Sequence, residues 1–207
     1  MGIFVKICGL ASAADVERVA ELSPDAMGFV FWSRSPRAVR VSDVAEWVRG
    51  LPRSIVRVGV FVDASRRDIE RVMHAAGLDV VQLHGNEPPG LCRSLPFGVW
   101  KAVHLKKEEH GFPWREYRVD AFLVDSYSAG MPGGTGVRSD WDGARRFIRE
   151  VSPLPVILAG GLNPQNVASA ITEVRPWGVD VSSGVESGPG RKDIRKVEDF
   201  LRICRAL

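Results

Sequence analysis

A thiol and a carboxyl each close a short apolar run in this sequence, and together they could move protons. Cys8 ends the run Phe4-Val5-Lys6-Ile7-Cys8, ahead of Gly9, and Asp125 ends Ala121-Phe122-Leu123-Val124-Asp125. In an extended chain alternate side chains face opposite ways, so Lys6 and Cys8 share one side while Val5 and Ile7 share the other. Val5 and Ile7 suit a helix-covered face, which turns Lys6 and Cys8 toward the opposite one. A neutral thiol is a poor base, with an ordinary pKa of about 8.5, but close to cationic groups it can serve as a thiolate. Most free cysteines are instead small buried apolar groups. An aspartate closing an apolar strand can be desolvated into a proton donor, or it can cap the helix that follows. Distance argues against the cap, because the next helix signal starts near Asp140. The intervening loop holds Gly130, Gly133, Gly134, Thr135 and Gly136, and loops of that length in compact domains are often lids or binding loops.

Further candidates sit at the ends of other apolar runs. Leu158-Ala159-Gly160-Gly161-Leu162-Asn163 and Val181-Ser182-Ser183-Gly184-Val185-Glu186 place glycine and serine where backbone N–H groups could approach a phosphate. Taken singly, Gly160 and Gly161 would also serve a plain tight turn. Arg37 follows Ser35-Pro36, and a proline-stiffened loop can hold a guanidinium for bidentate pairing with a carboxylate. His84 and His104 each close an apolar run; two histidines without a third ligand are wall residues more often than metal ligands, so no metal is expected.

The elements that must position these groups form a regular alternation. Strand-like runs occur at 4–8, 26–31, 55–62, 80–83, 99–103, 121–125, 156–159 and 179–182. Helical signatures separate several of them, starting at Ser42, Ser65, Asp140, Asn163-Pro164 and Asp193; the stretch 106–119 reads as a short or distorted helix. Eight such runs in 207 residues suit a single-domain (β/α)₈ TIM barrel over residues 1–207 better than an open doubly wound sheet. In that fold chemistry sits at the carboxyl ends of the strands, where Cys8, Arg37, His84, His104, Asp125, Gly160 and Ser183 all fall.

Composition narrows the function class. Hydrophobic residues at 45% and charged residues at 26% indicate an ordinary globular chain. No apolar run reaches the roughly 18 residues of a membrane span. Three widely separated cysteines without metal-ligand spacing, Cys8, Cys92 and Cys204, read as reduced thiols in the cytoplasm. A net charge of +3, interleaved along the chain, fits an anionic small molecule rather than nucleic acid.

Taken together these segments resemble the phosphoribosylanthranilate isomerase family of tryptophan biosynthesis, over nearly the whole chain. The likeness rests on Lys6-Ile7-Cys8-Gly9, Gly28-Phe29-Val30-Phe31, Ser35-Pro36-Arg37, Gln82-Leu83-His84-Gly85, Val124-Asp125-Ser126, Gly133-Gly134-Thr135-Gly136, Asp140-Trp141, Ala159-Gly160-Gly161-Leu162 and the run 182–193. The resemblance implies Cys8 as general base and Asp125 as general acid. It also implies Arg37 near the anthranilate carboxylate, Gln82 and His84 among the substrate contacts, and Gly160, Gly161, Ser183 and Gly184 as phosphate binders. No metal or organic cofactor is implied; the partners expected are the phosphorylated substrate and, at most, a second copy of the chain. The sequence departs from the family pattern at Ala11, where threonine is common, and at Ser139, where phenylalanine is usual. Among related readings, an indole-glycerol-phosphate synthase would want a rim lysine and a glutamate, a histidine-pathway isomerase two aspartates, and a decayed binding barrel would need neither Cys8 nor Asp125.

Overall fold

A computed structural model describes residues 2–105, 112–125 and 140–207. The glycine-rich loop after Asp125, with Ser126, Gly130, Gly133 to Gly136 and Ser139, lies outside the described residues. Eight parallel strands close into a barrel in sequence order: β1 (Phe4–Cys8), β2 (Ala26–Val30), β3 (Val56–Phe61), β4 (Val80–Leu83), β5 (Gly98–His104), β6 (Ala121–Asp125), β7 (Val156–Ala159) and β8 (Gly178–Val181). Both faces of such strands are covered, which explains runs that are almost wholly apolar. Val5, Ile7, Met27, Phe29 and Phe122 point outward under the helices, whereas Ala26, Val58, Trp100, Ala102, Leu123 and Ile157 fill the barrel. Lys6 belongs to the inner set and is fully buried. Pairing continues past several strand ends, so limits shift slightly from the sequence reading. Phe31 N–H still donates to Val60 at 2.9 Å, although β2 ends at Val30, and Ser182 turns out of β8 into a 3₁₀ turn, Ser183–Val185.

The surrounding helices are α1 (Ala13–Glu21), α2 (Val41–Trp47), α3 (Arg66–Ala76), α4 (Pro89–Ser94), α5 (Trp141–Val151), α6 (Val167–Val174) and α7 (Ile194–Arg205). Ser65, Asp140 and Asp193 cap α3, α5 and α7, each side chain accepting from a backbone N–H in the first turn, as their residue types predict. The expected start at Ser42 is corrected: α2 begins at Val41, and the Ser42 hydroxyl is engaged by Arg40 and Asp43 instead of capping. At α6 the cap position is Asn166, while Asn163 ties the preceding turn by accepting from the N–H groups of Gln165 and Asn166. Two helices lie outside the starts read from sequence: α1, which Ser12 caps by accepting from the Asp15 N–H, and α4, which is six residues long and includes Pro89 and Gly90. The described part of the β5–β6 connection carries one 3₁₀ turn, Trp114–Glu116. An antiparallel ribbon after β8, β9 (Glu186–Gly188) with β10 (Arg191–Lys192), has no counterpart among the strand-like runs of the sequence. Among the described residues no helix is long and apolar enough to cross a membrane.

Candidate active site

Register fixes which inward side chains meet at the carboxyl end of the barrel. Lys6 on β1 stands opposite Asp180 on β8, Cys8 opposite Gly28 on β2, and His104 on β5 opposite Asp125 on β6. Above them opens a cavity of about 530 Å³ lined by Cys8, Arg37, Gln82, His84, Asp125, Gly160, Gly161 and Ser183, within the range of small-molecule sites. Eight of the nine residues given roles by the family resemblance thus share one space, whereas His104, also singled out from sequence, is not among its lining. The ninth, Gly184, packs behind it, its α-carbon against the Leu162 carbonyl. The cavity also has an apolar wall, with Val30, Trp32, Val60 and Val62, broad enough to receive a ring.

Beneath the cavity floor Lys6 Nζ donates to Asp180 Oδ1 at 2.9 Å, with side-chain exposures of 0% and 9%. This is the carboxylate partner that strand parity requires for a buried ammonium. The Lys6 ammonium and the Cys8 sulfur converge beside Gly28: a Cβ there would lie 3.0 and 2.8 Å from them. Burial pushes the Cys8 thiol above its ordinary value, and the nearby Asp180 carboxylate adds to the rise; Lys6 and then Lys192 pull it back without cancelling it. Burial therefore weights Cys8 toward the thiol in the free protein, and the neighbouring cations offset that only in part. Burial works against the Lys6 ammonium, but interactions led by the Asp180 carboxylate outweigh it and hold the group above the usual lysine value.

On the opposite wall His84 Nε2 lies 3.6 Å from Asp125 Oδ2, while Gln82 Nε2 lies 3.0 Å from His84 Nδ1. The three form a row ending at the carboxyl that closes β6. A second row supports the loop after β4. Lys101 Nζ, 3% exposed, donates to Glu87 Oε2 at 3.0 Å and to the carbonyl of Gly85 at 2.7 Å, and Glu87 accepts from the N–H groups of Asp63 and Gly85. Each charge in that pair has several partners, which is what makes burial of an ion pair tolerable.

Sequence reasoning missed a third group. The Arg37 guanidinium is gripped by Glu186, with Nε to Oε1 at 2.7 Å and Nη2 to Oε2 at 2.6 Å, and Glu186 Oε1 also accepts from Lys192 Nζ at 2.9 Å. Arg37 is pushed above its ordinary value chiefly by its hydrogen bonds to Glu186. Burial raises Glu186, but Arg37 and Lys192 more than reverse that, leaving it below the usual carboxylate value. Burial lowers Lys192, and Glu186 only partly restores it. The Gly-Pro-Gly stretch at 188–190 is a turn signal that could have marked the β9–β10 ribbon. No local feature announces that Glu186 meets a residue 149 positions away.

The model of the N-(5'phosphoribosyl)anthranilate (PRA) isomerase family matches residues 5–202. A protein of Pelobacter propionicus named N-(5'-phosphoribosyl)anthranilate isomerase is 42% identical, over 98% of this chain and 96% of its own length. The structure of phosphoribosyl anthranilate isomerase from Thermotoga maritima superposes with a TM-score of 0.89 at 38% identity, covering 99% of this chain and 100% of that one. A phosphoribosyl anthranilate isomerase solved in complex with reduced 1-(o-carboxyphenylamino)-1-deoxyribulose 5-phosphate superposes with a TM-score of 0.86 at 37% identity, covering 99% and 100%.

Proposed function

The chain belongs to the N-(5'-phosphoribosyl)anthranilate isomerase family, and from that premise we propose that it converts N-(5-phosphoribosyl)anthranilate to 1-(2-carboxyphenylamino)-1-deoxyribulose 5-phosphate in tryptophan biosynthesis, with Asp125 as general acid and Cys8 as general base. The observation that carries this reading is the common cavity: a thiol, a carboxyl, an arginine, the glycine loop after β7 and the serine loop after β8 face one space.

The reaction is an internal oxidation and reduction, so it needs only proton transfers. Asp125 gives a proton to the ribose ring oxygen; the C1–O bond breaks as the nitrogen lone pair forms a C1=N bond. The thiolate form of Cys8, in equilibrium with the thiol, then takes the proton from C2 and becomes the thiol, and the released electron pair makes the C1=C2 double bond of an enol-amine while the nitrogen regains its lone pair. Tautomerisation yields the ketone. Each transfer by a positioned group contributes typically about 10²- to 10⁴-fold in rate. The anthranilate ring lies along the wall of Val30, Trp32, Val60 and Val62 with its carboxylate toward Arg37, and the phosphate lies at the loops after β7 and β8. Gln82 and His84 contact the substrate from the side of Asp125.

Purified protein mixed with freshly prepared phosphoribosylanthranilate should extinguish the anthranilate fluorescence in a catalytic, first-order decay. A fluorescence trace identical to the protein-free control would overturn the assignment.

The phosphate position has its own test. Sulfate or phosphate in crystals is expected against the backbone of Gly161, Ser183 and Gly184, where glycine lets the chain approach an anion closely. Gly184 has no room for a side chain, since a Cβ would overlap the Leu162 carbonyl. Gly184→Ala should therefore push the two loops apart and raise the inhibition constant of inorganic phosphate about tenfold, equivalent to about 1.4 kcal/mol. An anion bound elsewhere on the rim, or an unchanged constant in the variant, would count against this subsite.

A further inference from the structure

We infer that Glu186 and Lys192 act behind Arg37 as a positioning pair that aims its guanidinium at the substrate's aryl carboxylate and leaves its positive charge uncancelled. The inference rests on the proposed contact between Arg37 and that carboxylate. Its geometric half comes from the fork: Glu186 uses Nε and Nη2 of Arg37, which locks the guanidinium plane and leaves Nη1 for a ligand. The arginine stem lies across the β1 turn, where a Cβ at Gly9 would come within 2.5 Å of Arg37 Cδ. Gly9 has a φ of 73°, a conformation that favours glycine, so the same residue shapes the turn after Cys8 and makes room for the arginine.

The electrostatic half comes from a count of charges. An arginine paired bidentately with a single glutamate forms a neutral unit and attracts an anion weakly. Here Lys192 bonds the same glutamate at 2.9 Å and also the Ser182 carbonyl at 3.1 Å, so the trio carries one net positive charge. Side-chain exposures are 0% for Lys192, 4% for Glu186 and 22% for Arg37. Of the trio only the arginine opens on the cavity, so it is the member that presents the net charge to a ligand. The β9–β10 ribbon supplies both partners: Glu186 opens β9, Lys192 closes β10, and the two stand opposite each other beyond a shift of register at Arg191–Lys192. The Lys192 N–H is in turn fastened to Asp15 Oδ2 at 3.0 Å, tying the ribbon to the first helix. The ribbon is thus a selectivity element for an acidic aryl group.

The test is a competition between two substrates, phosphoribosylanthranilate and the same phosphoribosyl amine built on aniline, which lacks the carboxylate. The ratio of their kcat/KM values does not depend on the fraction of active protein, so a partly unfolded variant still reports. The unsubstituted protein should prefer the carboxylated substrate about 10- to 100-fold, the range for a hydrogen bond to a charged group. Glu186→Gln places an amide N–H against the guanidinium and Lys192→Met removes the compensating charge; each should cut the preference about tenfold, and because any change in the Cys8 base acts on both substrates alike it cancels from the ratio. Lys192→Arg, which keeps the charge, should retain most of the preference. If the unsubstituted protein shows no preference, or Arg37→Met keeps it, the contact between Arg37 and the carboxylate is wrong. If Arg37→Met abolishes the preference while Glu186→Gln and Lys192→Met keep it in full, that contact stands and the positioning role of Glu186 and Lys192 is overturned.

Discussion

Replacing Cys8 by Ser, or Asp125 by Asn, should leave a folded barrel that turns substrate over about 10² to 10⁴ times more slowly, because each change removes one proton-transfer group and little volume. Cys8 is 7% exposed and Asp125 is partly exposed at the cavity, so neither isostere opens a void or strands a large apolar surface. A serine hydroxyl is far too weak an acid to supply an alkoxide base at neutral pH, and an asparagine has no carboxyl proton to give. Both losses should appear in kcat with KM nearly constant, the pattern of an interaction made only in the transition state. Near-normal turnover in either variant, with a native far-ultraviolet circular dichroism spectrum, would remove that residue from the mechanism. The unsubstituted protein should also show a rate that climbs with pH, on a limb lying above the ordinary thiol value, since burial holds the Cys8 proton on.

Asp180→Ala should cost about 3 to 5 kcal/mol of stability, the usual penalty for leaving a buried charge without its partner. Lys6 has no exposure with which to recruit water, and its only charged hydrogen-bond partner among the described residues is the Asp180 carboxylate. The sign of the pH dependence follows from Lys6. Its folded value is raised above 10.5, so its contribution is complete below that pH and is lost only as pH climbs through the folded value. The penalty should therefore be full at neutrality. The same variant changes the chemistry. Asp180 raises Cys8 and Lys6 lowers it, so removing the aspartate should move the rising limb of the rate profile to lower pH. A thiolate held by an undivided Lys6 is a weaker base, and maximal turnover should fall. Urea unfolding and a pH–rate profile read the two effects separately. An unchanged unfolding midpoint would dispose of the structural role, and an unmoved limb would dispose of the electrostatic one.

Several features were legible before any coordinates because they are properties of short segments. The limits of β1, β4, β6 and β7 coincide with those read from apolar runs, since strands covered on both faces must be apolar throughout. Alternation along Phe4–Cys8 turns Lys6 inward, and the pairing of β1 with β8 in the closed barrel then sets Asp180 opposite it. Ser65, Asp140 and Asp193 announced three helix starts through side chains that satisfy the first free N–H groups. Ser42 shows the limit of that signal: its hydroxyl is taken by Arg40 and Asp43, a choice that depends on side chains rather than on residue type.

Local sequence is enough to set the strand alternation, the closed barrel and the gathering of Cys8, Arg37, His84, Asp125 and the loops after β7 and β8 at one end, because backbone sterics and the burial of apolar runs act locally and repeat. Tertiary structure alone decided that Arg37 is gripped by Glu186, that Lys192 neutralises that glutamate, and that burial outweighs Lys6 in setting the Cys8 proton. Those outcomes turn on distances of a few ångströms between residues as many as 149 positions apart, and on how much water each group loses. Electrostatic energies vary steeply with both quantities. Neither is a property of any segment of the chain, so they exist only once the barrel has closed.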